Sequence, residues 1–268
     1  MKKLKKLNLV ALLTIVLLTI ISNPQISKAA DKYVSNMAVD TKQKVGNVTF
    51  VSKQYKVGSS YYCKIIMKKD GKSETIDKQT TAAFVTNGKV LYYVKEGKLV
   101  NDYGQHKNTI YKYTIKTGEK EKIITGSEYT IRGCSGTYLY YGTDDWADGV
   151  DLYAINVKTK KKKHMVDTVG RVFISGSRVV TTTNSGAPGD YPIHSFKING
   201  TGKKKISDGN LLDVKNGKIY YYKTKLVNEK NETIVKFKVY RCSETGKSKK
   251  ALTEWVSEVP EKYYDKVN

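Results

Sequence analysis

The sequence predicts an all-β chain folded as a β-propeller of four-stranded blades, five blades rather than six. Three observations predict it. A turn followed by an aliphatic, Tyr-rich strand recurs at a nearly fixed interval, and a second strand and turn follow each one at the same interval. After the first thirty residues, no stretch carries the three-to-four-residue apolar periodicity of a helix.

The first landmark runs Gly46-Asn47-Val48-Thr49-Phe50, Gly88-Lys89-Val90-Leu91-Tyr92-Tyr93, Gly136-Thr137-Tyr138-Leu139-Tyr140-Tyr141, Gly176-Ser177-Arg178-Val179-Val180 and Gly217-Lys218-Ile219-Tyr220-Tyr221-Tyr222, with 42, 48, 40 and 41 residues between successive glycines. The second runs Tyr62 to Ile65 before Asp70-Gly71, Ile110 to Tyr113 before Thr117-Gly118, Leu152 to Ile155 before Thr159-Lys160, Ile193 to Phe196 before Thr201-Gly202, and Val239 to Cys242 before Thr245-Gly246. Short apolar strands precede the first landmark (Ala83 to Val85, Tyr129 to Ile131, Val172 to Ile174, Leu211 to Val214) and follow the second (Lys122 to Ile124, His164 to Val166, Lys204 to Ile206). Four β-branched and aromatic strands per unit, joined by Gly, Asn and Asp turns, make an antiparallel blade of about 44 residues. An all-β sandwich is the alternative, but a sandwich has no need of a fixed period.

The first residues are of another kind. Lys2, Lys3, Lys5 and Lys6 precede an apolar run from Leu7 to Ile21, and Ser27-Lys28-Ala29 offers small residues for cleavage. This is the pattern of a secretory signal peptide, and the run is shorter than the roughly 20 residues a membrane span needs. The expected organisation is a signal peptide over 1–29, an N-terminal segment over 30–45 and a propeller over 46–268. Blades are expected near 46–81, 82–126, 127–168, 169–209 and 210–255. Residues 256–268 resemble an innermost strand and are expected to complete the first blade, because Thr41 to Lys44 is too polar to do so; Val34 to Val39 is the competing donor. The expected product is a monomer without a transmembrane segment, secreted or associated with the cell wall.

Charge separates by face. In a four-stranded blade the turns between strands 3 and 4 emerge opposite the loops between strands 2 and 3. The five predicted 3–4 turns (68–74, 116–122, 158–164, 199–205 and 244–250) hold 17 Lys and 5 acids, whereas the five 2–3 loops (52–60, 95–109, 142–151, 183–192 and 223–233) hold 8 Lys and 9 acids. Of a net charge of +23, most therefore falls on one side. Lys158, Lys160, Lys161, Lys162, Lys163, Lys203, Lys204 and Lys205 are the expected polyanion-binding residues, suited to an anionic wall polymer or membrane surface. Nucleic acid is not expected outside the cell, and no base-reading module is present. Lysines that only solubilise the hairpin tips are the plainer alternative.

The opposite loops carry an acid directly before an aromatic three times: Asp102-Tyr103, Asp145-Trp146 and Asp190-Tyr191. A ring stacks on a sugar face while the carboxylate accepts its hydroxyls, so these are candidate glycan-binding residues; rings folded over their own loops are the alternative. Asp144, Asp148 and Asp151 are a weak Ca²⁺ candidate, since their spacing is not that of an EF-hand loop. No other metal or cofactor is expected: His106, His164 and His194 lie in different units without metal-ligand spacing. Cys63, Cys134 and Cys242 also lie in different units and read as small buried apolar residues.

The repeated turn, Ile/Leu-Tyr-Tyr strand, Leu/Ile-Tyr strand and Thr-Gly-Lys turn resembles secreted bacterial propellers related to the YWTD repeats of lipoprotein receptors, with Leu139-Tyr140-Tyr141-Gly142-Thr143-Asp144 as the nearest local approach. The resemblance covers residues 46–255 and implies a propeller fold. The motif's Trp is absent from the blades, so receptor ligands are not carried over. The expected function is a non-catalytic binding module at the cell envelope, with a glycan, an anionic wall polymer or an envelope protein as partner. The alternative is a carbohydrate-active enzyme with a carboxylate pair near the axis, drawn from Asp167, Asp208 or the acids of 144–151.

Overall fold

The hairpin turns set the architecture. Asn216 and Gly217 both have positive φ (50° and 68°), as do Asp70 and Gly71 (50° and 75°), which is the two-residue turn whose twist matches that of the strands it joins. In the computed structural model, residues 42–100, 105–145, 149–175, 177–183, 189–229 and 232–263 are described, with backbone alone for Asp144, Asp145 and Gly149. The chain divides into two compact units, Met1–Ala30 and Asp31–Asn268. The first lies outside the described residues, and every strand belongs to the second.

The described chain is almost entirely antiparallel strand and forms five successive four-strand meanders. The first is β1 (Lys42–Val45), β2 (Val48–Val57), β3 (Ser60–Lys69) and the first half of β4 (Lys72–Thr86); the second is the rest of β4 with β5 (Val90–Lys95), β6 (Lys107–Thr114) and β7 (Lys120–Ser127). The third is β8 (Tyr129–Ser135), β9 (Tyr138–Asp145), β10 (Gly149–Asn156) and β11 (Lys162–Val166). The fourth is β12 (Val169–Ser175), β13 (Arg178–Thr183), β14 (Tyr191–Lys197) and the first half of β15 (Lys204–Lys215); the fifth is the rest of β15 with β16 (Lys218–Glu229), β17 (Glu232–Ser243) and β18 (Lys250–Ala251). Hydrogen bonding thus yields three sheets of seven, four and seven strands, because β4 and β15 each serve two meanders.

Each passage between meanders uses one residue at positive φ: Gln79 (55°), Glu128 (48°), Thr168 (47°) and Gly209 (153°). At Gly209 a Cβ would lie 2.6 Å from the Tyr222 carbonyl oxygen and 2.8 Å from the Tyr221 ring, so only glycine lets the strand cross there.

The Tyr-Tyr strands are explained by burial on both faces, since successive side chains point to opposite sides. On β5, Leu91 and Tyr93 pack back against Phe50, Ile65 and Phe84. Tyr92 and Val94 face forward onto Ile131, Leu139 and Tyr141. The same alternation places Tyr140 with Val172, Val179 and Phe196, and Phe173 and Val180 with Ile219 and Tyr221. A strand with two apolar neighbours has no polar face, and Tyr fills both sides while its hydroxyl reaches an edge: Tyr140 Oη donates to the Ile198 carbonyl at 2.6 Å and Tyr93 Oη to Asp77 at 2.8 Å.

One expectation about the ends is revised. Lys42–Val45, read as too polar for a strand, is β1. Gln43 is buried; its Nε2 donates to the Phe84 carbonyl and its Oε1 accepts from the Thr86 N–H, both at 3.1 Å, so an amide side chain completes the contact an apolar residue was expected to make. At the other end, residues 256–263 lie along the fifth meander, while most of the segment expected to complete the first blade, 262–268, falls beyond them. Val256 bridges Phe237, and Leu252, Val259 and Tyr263 cover Leu212, Tyr220, Tyr222 and Val239. Residues 264–268 lie outside the described residues.

Candidate functional site

The 3–4 turns are built by short polar side chains that leave the lysines outside. Asn156 Oδ1 accepts the N–H groups of Lys158 (3.0 Å) and Thr159 (3.1 Å), Asn199 Oδ1 accepts that of Thr201 (3.1 Å), and Ser243 Oγ accepts that of Lys247 (3.0 Å). Neighbouring turns are joined around one side of the molecule. Lys120 Nζ donates to the Ile76 carbonyl at 2.5 Å, Lys160 and Lys112 both reach Glu121 (2.5 and 2.6 Å), Lys204 Nζ donates to the Thr245 carbonyl at 2.7 Å, and Lys249 Nζ to Ser207 at 3.2 Å. The two lysines hold the Glu121 carboxyl below its ordinary value. Gly200 lies so near the side chains of Lys163 and Met165 that a Cβ there would come within 3.3 Å of both.

Among the expected polyanion residues, Lys160 is therefore paired with Glu121 and Lys205 with Asp208 at 2.7 Å, while Lys158, Lys161, Lys162, Lys163 and Lys203 are exposed and form no ion pair with a described residue. The field of this belt is felt inside the fold. The His194 imidazole is held below its ordinary value, first by burial and then by Lys203 and Lys205, with Asp208 opposing.

The 2–3 loops differ. Asp102, Tyr103, Trp146 and Asp148 lie outside the described residues; Asp144 and Asp145 end β9, and their side chains are likewise outside. Asp190 is described and is engaged structurally. Its Oδ1 accepts from the Thr224 N–H (3.0 Å), the Thr224 hydroxyl (3.1 Å) and Asn210 Nδ2 (3.4 Å), tying its loop to the next meander. Tyr191 is half-buried at the start of β14, opposite Gly209. Glu128, which sequence reasoning did not single out, accepts the His106 N–H at 2.5 Å, while His106 Nδ1 lies 3.0 Å from the Gly97 carbonyl oxygen. Beside them the Glu96 carboxyl is pushed up, chiefly by burial, with Glu128 adding and His106 opposing.

The structure also assembles a cluster that sequence spacing did not suggest. Asp151, the described member of the expected calcium set, turns to His164 and Asp167: His164 Nε2 lies 3.5 Å from Asp151 Oδ2 and 3.1 Å from Asp167 Oδ1. The three ligating atoms lie within 4.8 Å of one another. Linear spacing hid it, because residues 13 and 3 apart meet only through the pairing of β10 with β11.

The first strands of successive meanders approach one another, so a carboxylate pair near an axis would come from them. Among their described residues the only carboxylate is Asp213, which is 2.8 Å from Lys215. The same strands and their flanks carry Lys42, Lys44, Arg132 and Arg171, the last donating to the Leu211 carbonyl at 3.0 Å. Of the carboxylates expected near an axis, Asp208 pairs with Lys205 and Asp167 with His164.

No protein-family model matches the chain, and no curated protein matches it in sequence. Solved structures do. The β-propeller domain of the Trilobed protease from Pyrococcus furiosus, described as having an open velcro topology, superposes with a TM-score of 0.55 at 12% identity, covering 84% of this chain and 71% of that one. Pyrococcus horikoshii acylaminoacyl peptidase gives 0.53 at 13% identity over 84% of this chain and 40% of that one. An oligogalacturonate lyase in complex with manganese gives 0.53 at 10% identity over 78% of this chain and 62% of that one. The chain thus spans less than two thirds of the peptidase and of the lyase. At these identities what is shared is the architecture, and the fold is a β-propeller.

Proposed function

We propose that this chain is a secreted five-bladed propeller that acts as a non-catalytic binding module, holding an anionic polymer of the cell envelope on its belt of 3–4 turns. One observation carries the reading: polar contacts join the first three turns to one another and the last two to each other, yet Lys158, Lys161, Lys162 and Lys203 stay outside those contacts, and the Lys163 ammonium has no described partner although its methylene chain lies beside Gly200. Lysines needed only to seal the turns would be engaged as Lys120 and Lys204 are. Each cation beside a polyanionic surface adds about 1 kcal/mol of attraction at physiological salt, so several in one belt suffice for reversible, salt-sensitive retention.

The secretory address rests on residues 1–29, and the kinship with YWTD-type propellers on the repeated turn-and-strand pattern of 46–255, nearest at 139–144; both belong to the proposal. Among the described residues, no helix is long and apolar enough to cross a membrane. A glycan site on the opposite loops finds less support, since Asp190 is committed to Thr224 and Asn210.

The test is retention of the purified protein on cell walls with and without their anionic polymers. Retention on intact walls at low salt, release near 0.5 M salt and none on stripped walls are expected, the Debye length falling to about 3 Å near 1 M. Equal retention on stripped walls would end the reading. Product release from a polysaccharide panel would favour a carbohydrate-active enzyme instead.

A further inference from the structure

We propose that Asp151, His164 and Asp167 form a binding site for a divalent first-row transition ion, Zn²⁺ foremost, that clamps the third meander to its connection into the fourth. The site is made by a β-bulge. Leu152 opposes Val166 but Tyr153 opposes His164, leaving Met165 as the extra residue. In a regular ladder Tyr153 would oppose Met165, and His164 would point to the face of Leu152 and Val166. With the bulge, Met165 and Val166 both enter the core, and His164 comes to the face of Tyr153 and hence of Asp151, two residues away on the same strand.

The donors are held from behind. Asp151 Oδ1 accepts the Thr168 N–H at 3.3 Å, which leaves Oδ2 facing His164, and the imidazole lies 5.0 Å from the Tyr153 ring, centroid to centroid. Such outer contacts orient metal ligands. Nitrogen and carboxylate oxygen bind Zn²⁺ at about 2.0–2.2 Å, which sets neighbouring donors about 3.4 Å apart on a tetrahedral shell. The two distances from His164 Nε2, 3.1 and 3.5 Å, match that edge.

Donor type selects the ion. Ca²⁺ requires six to eight oxygens, whereas imidazole suits Zn²⁺, Cu²⁺, Fe²⁺ and Ni²⁺; Cu²⁺ heads the affinity order, and tetrahedral geometry and metal availability favour Zn²⁺ among them. Three protein ligands leave a fourth position for water. The solvent-accessible side chains, 41% for His164 and 81% for Asp167, give the ion an entry path.

Isothermal titration of the purified protein with ZnCl₂ tests this, beside His164→Ala and Asp167→Asn variants and a His106→Ala control. One Zn²⁺ per chain is expected in the native protein and in the control, with affinity falling at least about tenfold in each site variant. Zn²⁺ should raise the melting temperature of the native protein and not that of the variants, and excess Ca²⁺ should not displace it. Asp167 is exposed and its described contact is with His164, so Asp167→Asn remains informative even if His164→Ala unfolds. Binding unchanged in Asp167→Asn, displacement by Ca²⁺, or no Zn²⁺ heat in the native protein would overturn the proposal.

Discussion

The two sides of this propeller use charge in opposite ways. On the loop side, three described acids are structural: Asp190 accepts three hydrogen bonds from the next meander, Glu128 caps the His106 N–H, and Asp151 holds the Thr168 N–H. On the turn side, short polar residues such as Asn156 and Asn199 form the turns, a few lysines lock neighbouring turns together, and the others are left over. A charge that satisfies a backbone donor cannot be removed without exposing that donor's need, whereas a solvated lysine costs the fold almost nothing to remove. Surplus charge therefore points to function more directly than abundant charge does.

The sharpest way to break this contrast is Asp190→Ala. Loss of its three bonds, with the Thr224 N–H orphaned, should destabilise by about 2 kcal/mol, a fall of roughly 4–8 °C in Tm for a chain of this size. A Tm unchanged in calorimetry would make Asp190 a free ligand residue after all. Glu121→Gln removes two ion pairs on a half-exposed carboxylate and should cost under about 1 kcal/mol in denaturant titration; a larger loss would make the belt structural. Changing Lys158, Lys161, Lys162 and Lys163 together to Gln should move stability by no more than about 0.5 kcal/mol per residue in either direction while removing most retention on walls.

His194 reports the field itself. Its folded value is lowered, so this group's contribution to stability is present above about 6.5 and is lost as pH falls below it. Lys203→Ala with Lys205→Ala should raise the His194 pKa in an NMR titration, and so should bound polyanion. No movement on removing both lysines would mean that burial alone sets the value.

The blades were legible because the repeat is enforced by packing: Leu139-Tyr140-Tyr141 must fill two interfaces at once, and that demand is written in consecutive residues. The turns were legible through Asp70-Gly71 and Gly217, whose backbone needs a particular residue type. Three features were not. β1 is polar because Gln43 satisfies β4 through its side chain, which no hydropathy pattern expresses. The left-handed residues at Gln79, Glu128 and Thr168 carry no glycine to mark them, unlike Gly209. The His164 cluster depends on a one-residue slip between β10 and β11, and a slip changes which face a side chain occupies without changing the sequence pattern around it.

The most direct test of the central claim is equilibrium binding of a purified polyanionic wall polymer to the native protein and to the Lys158, Lys161, Lys162 and Lys163→Gln variant, across a salt series. The account predicts native binding that weakens steeply as salt rises, from the release of condensed counterions, and a variant with both weaker binding and a shallower salt dependence. Equal affinity and equal salt dependence in the two proteins would contradict it.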